Sequence, residues 1–145
     1  MKGEQTMKKL FFVLLVALAL FVGCNKEAKL KAGVYGGSST FGDSTCTCKV
    51  TIDDAGKITN VYFDESYEGS TKKTLGDDYQ MKSDWGSKWE WYEHAKALED
   101  AIVANQGIDF ITVDPATGKT DAVSGCTIKV DNMLKSYEAA IAKAK

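Results

Sequence analysis

From Cys46 to Ile52 the chain alternates apolar and polar side chains: Cys46, Cys48, Val50 and Ile52 are interleaved with Thr47, Lys49 and Thr51. A period of two predicts a β-strand with both thiols on its apolar face. Asp53-Asp54-Ala55-Gly56-Lys57 follows as a turn, with Gly56 at the position that needs positive φ. Ile58-Thr59-Asn60-Val61-Tyr62-Phe63 then returns as the second strand of an antiparallel hairpin. Upstream, Gly33 to Gly42 holds Val34, Tyr35 and Phe41 among four glycines, the composition of a short edge strand and turn. The three strands form a meander, about the smallest sheet that stands once a helix covers it.

Downstream the period lengthens. Within 85–106, Trp91, Ala95, Leu98 and Ile102 fall at i, i+4, i+7 and i+11, which predicts a helix with Glu90, Glu93, Lys96, Glu99 and Asp100 on its other side and Gly107 as its stop. Val130, Leu134, Tyr137 and Ile141 repeat that spacing in a final helix. Between the helices, Ile108-Asp109-Phe110-Ile111-Thr112-Val113 has strand composition and leads into a turn over Asp114-Pro115-Ala116-Thr117-Gly118-Lys119. Residues 64–84 show no steady period and read as a long loop, a kind of segment that is often functional. The fold class expected is α+β: a small antiparallel sheet, the three-stranded meander plus a short strand, covered by two helices. No internal repeat is present.

The N-terminal segment reads as an export signal. Lys8 and Lys9 precede an apolar run from Leu10 to Val22, too short for the roughly 20 residues of a membrane span, and Val22-Gly23 ends it with small residues. Leu20-Phe21-Val22-Gly23-Cys24 resembles a bacterial lipobox, which implies a signal peptide over 1–23 and lipidation of Cys24. Residues 24–32 then form a tether, with the folded domain at 33–145. At about 0.8 kcal/mol per buried CH₂, the acyl chains would hold the domain at the extracytoplasmic face of the cell membrane.

Charge narrows the choice of partners. The 145 residues carry a net charge of −2, and every basic residue is Lys. Removing the first 24 residues leaves 15 Lys against 19 acidic residues, a net −4. An acidic surface without Arg argues against nucleic acid. Gly33–Gly42 lacks the Gly-Lys-Ser/Thr of a P-loop and the glycine spacing of a dinucleotide fold.

Cys46, Cys48 and Cys126 are odd in number, so at most one disulfide forms among them, and a C-x-C without a fourth ligand makes a poor metal site. No metal is expected. His94, the sole histidine, has no second His or fixed carboxylate beside it and is expected at the surface. Trp85, Trp89 and Trp91 cluster at the start of the long helix, either to stack on a planar ligand or to anchor the helix on the sheet. Few residues here could serve as a general acid, base or nucleophile.

Ahead of the final helix stands Asp121-Ala122-Val123-Ser124-Gly125-Cys126-Thr127. Gly125 allows positive φ and close backbone approach, and Ser124 and Thr127 are residues that also cap helices. The string resembles the D-x-x-[ST]-G-A-[ST] motif of the FMN-binding domain family, found in flavin-carrying subunits of sodium-pumping quinone reductases, in Rnf complexes and in small bacterial flavin lipoproteins. That resemblance implies FMN attached to Thr127 through a phosphoester, with Asp121, Ser124 and Gly125 as the recognised motif and Cys126 standing where the family usually has Ala. A phosphate there is expected near the start of the final helix, where free N–H groups favour an anion.

The same resemblance implies an exported flavin transferase using FAD and Mg²⁺. It also implies a membrane-tethered electron carrier rather than an enzyme, exchanging electrons with redox partner proteins or a quinone-linked electron-transfer chain. Lys73-Thr74-Leu75-Gly76-Asp77-Asp78-Tyr79 loosely resembles a loop that lies near the flavin in such lipoproteins, without the Pro-Gly turn of many relatives. The alternatives are a lipoprotein that binds flavin or another planar ligand noncovalently, and a structural surface lipoprotein.

Overall fold

The computed structural model describes residues 29–145; the signal segment, Cys24 and the first part of the tether lie outside the described residues. Four strands follow in order and pair antiparallel as β1-β2-β3-β4: β1 (Gly33–Phe41), β2 (Ser44–Ile52), β3 (Ile58–Tyr67) and the short β4 (Ser70–Thr71). Cys48 is the partner of both Gly37 and Phe63, so the alternation of β2 sets the register of the whole meander. Cys46, Cys48, Val50, Ile52, Val61 and Phe63 are buried on one face, and Thr47, Lys49 and Tyr62 are exposed on the other. Gly56 takes φ +79° in the hairpin turn, the left-handed conformation expected of it.

The short fourth strand is not the one expected. Ile108–Val113 forms an irregular segment, and the position beside β3 is taken by Ser70–Thr71. Ile108, Phe110, Ile111 and Val113 still pack against the core, so their apolar character reflects burial without a ladder. Residues 64–84 are also more regular than a loop. Besides the end of β3 and β4 they include α1 (Lys72–Leu75), a 3₁₀ turn (Gly76–Tyr79) and α2 (Met81–Asp84).

Two longer helices cover the apolar face. α3 (Trp91–Asn105) packs on β3, and α4 (Asp131–Ile141) packs on β1 and β2. α3 begins at Trp91 rather than Trp85 because Glu90 and Glu93 form a reciprocal capping box there. At the other end Gln106, rather than Gly107, takes the left-handed cap conformation. The expected stripe of Trp91, Ala95, Leu98 and Ile102 is buried.

Glu90 and Glu99, expected on the outer side of this helix, are buried too. The Glu90 carboxylate accepts the Met81 and Lys82 amides at the start of α2, tying the preceding segment to the helix. Glu99 accepts the Phe63 amide at 2.7 Å and is ion-paired with Lys73, whose ammonium also lies 3.7 Å from the centre of the Tyr62 ring. Burial raises the Glu99 carboxyl above the usual glutamate range, while Lys73 and the Phe63 amide pull it back.

A raised acid contributes its stability at low pH and loses it as pH rises through the folded pKa. Lys73→Met removes the partner and leaves a buried carboxylate, so it is expected to cost about 3 kcal/mol near neutrality. The deficit should shrink on acidification, as urea unfolding at neutral and mildly acidic pH would show.

α4 approaches the sheet more closely than side chains normally allow. A Cβ added at Gly37 of β1 would run into the backbone of α4, at the Ser136 carbonyl and the Ala140 nitrogen. Ser136 and Ala140 are fully buried there, beside the expected Val130, Leu134 and Tyr137.

The three thiols are free and buried in this layer. Burial pushes Cys46 and Cys126 up to about 11, and Cys48 is raised further by burial and by the neighbouring Cys46. Thiols so held are poor nucleophiles. In the native protein all three are expected to resist a thiol-labelling reagent and to react after denaturation. No group of His, Cys, Asp or Glu among the described residues could hold a metal, and none of the described helices is long and apolar enough to cross a membrane.

Candidate functional site

The loop between Gly118 and α4 carries residues 121–127 and is fastened from beneath. Val123 and Cys126 are buried, whereas Asp121, Ser124 and Thr127 are exposed. The Cys126 amide donates to the Val123 carbonyl at 3.2 Å, closing a tight turn in which Gly125 takes φ +83°. A Cβ on Gly125 would overlap the indole of Trp89. The glycine is therefore required twice, by its conformation and by the ring lying against it.

His94 completes the support. It is almost fully buried on α3, against the expectation of a surface residue. Its Nδ1 lies 2.7 Å from the Gly125 carbonyl oxygen, and its Nε2 lies 3.1 Å from Ser87 Oγ. Ser87 in turn donates to the Trp89 carbonyl at 2.6 Å and accepts the Trp89 amide at 3.3 Å. The imidazole and the indole, 5.7 Å apart and tilted by 45°, thus both bear on the turn at Gly125.

Neither Ser124 nor Thr127 caps the final helix. The N-cap is Val130, without a side-chain cap bond, and its amide donates to the Gly118 carbonyl at 2.7 Å. Asp131 occupies the first turn of α4, so the positive end of the helix already faces a carboxylate. The Thr127 amide lies 3.4 Å from His94 Nδ1, too far to compete with the 2.7 Å contact that nitrogen makes to the Gly125 carbonyl, and among the described residues the Thr127 hydroxyl has no hydrogen-bond partner.

Two shallow clefts flank the turn at Asp114–Gly118. One, of about 350 Å³, lies between Phe41, Glu65, Pro115, Lys129 and Asn132. The other, of about 360 Å³, is lined by Thr112, Lys119, Thr120, Asp121 and Ala122 and so includes the first residue of the motif.

The tryptophans divide into three roles. Trp91 is core, Trp89 is half-buried against Gly125, and Trp85 is exposed with its ring edge-on to Tyr79. The segment 73–79 borders a different cleft, formed by Tyr62, Lys73, Gly76, Asp77, Tyr92 and Lys96 on the α1 side of α3. Sequence reasoning did not identify His94, Ser87 and Trp89 as supports of the motif. The position of His94, three residues after Trp91 and four before Leu98, was the available signal, since it falls on the buried stripe.

The donor set fits a phosphate ester. A free, exposed hydroxyl stands on a turn whose backbone is immobilised by buried side chains, and nothing in the fold must be broken to modify it.

The family model of the FMN-binding domain matches residues 43–142. No curated protein matches the chain. A structural-genomics protein of Clostridium thermocellum, solved by NMR in solution, is similar at 28% identity and a TM-score of 0.58; the match covers 80% of this chain and 93% of that one.

Proposed function

The chain belongs to the FMN-binding domain family and takes FMN as its cofactor, and on that premise we propose that it is an extracytoplasmic electron carrier whose FMN is esterified to Thr127. The observation that supports this reading is the free, exposed Thr127 hydroxyl on a motif turn locked by Val123, Cys126, His94 and Trp89. When bound, FMN supplies reversible electron acceptance, and the protein's task is then to hold it. Asp121, Ser124 and Gly125 form the face that a flavin transferase recognises, and Thr127 provides the oxygen. That oxygen attacks the flavin-side phosphorus of FAD, the pyrophosphate P–O bond breaks, AMP leaves with the bridging oxygen, and the hydroxyl proton passes to solvent. Mg²⁺ on the transferase offsets the charge.

A carrier rather than a catalyst agrees with the side chains present. The three thiols are buried and protonated, and His94 is committed to the Gly125 turn. Lipidation at Cys24 would keep the carrier at the membrane, where redox proteins or a quinone-linked chain exchange electrons with it. A covalent link also suits an exported protein, because a released cofactor would be lost to dilution.

The test is the mass of the chain and of its Thr127 peptide after acid denaturation, using protein from cells that possess the transferase. Flavin retained on that peptide supports the proposal. Flavin released on denaturation supports a noncovalent flavin lipoprotein, and a bare, colourless chain supports a structural role.

A further inference from the structure

We propose that His94 is the positioning residue of the flavin-acceptor turn: its imidazole holds the Gly125 peptide in the orientation that presents Thr127 to the transferase. This rests on the reading of Thr127 as the acceptor. A carbonyl oxygen offers only lone pairs, so the 2.7 Å contact with Gly125 places a proton on Nδ1, and the imidazole donates. His94 is 1% exposed and projects from the first turns of α3, a rigid element fixed at its start by the Glu90–Glu93 capping box. Ser87 Oγ accepts the Trp89 amide and lies 3.1 Å from the opposite ring nitrogen and 2.6 Å from the Trp89 carbonyl; its single proton serves one or the other, and the ring is braced on that side by the contact.

The Gly125 residue therefore meets a fixed donor at its carbonyl and the Trp89 indole at its Cα. At φ +83° the turn is a conformation that glycine only tolerates, so nothing intrinsic to its backbone selects it over others. The Cys126–Val123 bond closes the turn, and the imidazole supplies the one side-chain donor that fixes the direction of the Gly125 carbonyl. Two residues on, Thr127 has no side-chain bond of its own among the described residues, so its hydroxyl is located only by the turn it follows. A half-buried carbonyl deprived of its donor would rotate toward water, carrying the acceptor with it. His94 touches neither flavin nor the reacting oxygen. Its contribution is placement, and a displacement of about 1 Å at a reacting group costs roughly a hundred-fold in rate.

The experiment uses full-length chain made without flavin and then incubated with the transferase, FAD and Mg²⁺, with the initial rate of flavin addition followed by intact mass against acceptor concentration. His94→Asn keeps an amide N–H near the place of Nδ1, whereas His94→Gln reaches instead toward Ser87 and His94→Leu has no donor. Folding of each variant is checked by thermal unfolding and by the near-ultraviolet dichroism of the three tryptophans.

Expected are a fall of about a hundred-fold in kcat/KM for folded His94→Gln and His94→Leu, and recovery to within a few-fold of the unaltered chain for His94→Asn. Equal rates in all forms overturn the role of His94. So does failure of Asn to recover while folded, since the loss would then not come from the Nδ1 donor. Should the Gln and Leu variants not fold, imidazole ¹⁵N spectra of the unaltered chain decide: a proton on Nδ1 coupled to the Gly125 carbonyl is expected, and an unprotonated Nδ1 overturns the proposal. If the unaltered chain itself accepts no flavin, the attachment reading fails, a result distinct from all of these.

Discussion

Full-length chain carrying Thr127→Ala, produced beside an active flavin transferase, is expected to leave the cell with no flavin on any residue, yet to unfold within about 0.5 kcal/mol of the unaltered protein. The two halves of that result have separate causes. Attachment requires an oxygen, and the neighbouring hydroxyl of Ser124 lies three residues away, on the other side of the fixed Gly125 turn. Stability is hardly touched because Thr127 is exposed, makes no side-chain hydrogen bond among the described residues and is not the helix cap, a role that falls to Val130. Thr127→Ser keeps a hydroxyl at the same place, primary instead of secondary, and should retain the adduct. Intact-mass measurement and urea unfolding on the same preparations check both halves. Adduct persisting on the alanine variant would move the acceptor elsewhere.

The second large effect belongs to the fold. Gly37→Val is expected to destabilise the domain by about 4 kcal/mol or more, a large share of the 5–15 kcal/mol typical of a domain. The added carbons would have to occupy the space of the Ser136 carbonyl and the Ala140 amide, and backbone on both sides cannot yield as a long side chain could. α4 would have to lift from β1 and β2, which also uncovers Cys46 and Cys48. Gly36 provides the control. It is exposed on the opposite face and nothing closer than the Cys48 carbonyl, at 4.0 Å, faces an added Cβ, so Gly36→Ala should be neutral or slightly stabilising. Unfolding in urea separates the two neighbours.

These two glycines show what was legible in the chain. The period of two around Cys46–Ile52 gave the hairpin and its buried face correctly, because one side of the sheet is covered and the other is wet. The spacing of Trp91, Ala95, Leu98 and Ile102 gave α3 for the same reason. What escaped depended on partners distant in sequence. Gly37 looks like Gly36 until Ser136 and Ala140 come against it, and Glu99 looks solvent-facing until Lys73 and the Phe63 amide satisfy it. Ile108–Val113 has the composition of a strand, but Ser70–Thr71 pairs with β3 at Ser66 and Tyr67, and farther along the Ile58 and Phe63 amides are taken by the Gln106 and Glu99 side chains. Of the site, the motif residues themselves were legible. Their support by His94, Ser87 and Trp89 was not, because it joins segments about thirty residues apart.

The way the chain enters the domain bears on where a flavin would face. Lys31 donates its amide to the Ala144 carbonyl, and Lys29 reaches the Asp54 carbonyl in the β2–β3 turn, so residues 29–31 lie beside the C-terminal end of α4. Thr127 precedes the opposite end of that helix, which at about 1.5 Å per residue spans roughly 16 Å. Residue 29 and the acceptor threonine thus lie at contrary poles of the domain. If lipidation of Cys24 holds the chain at a membrane, a cofactor on Thr127 would sit at the end of the domain away from residue 29, on the side open to a partner arriving from the aqueous phase.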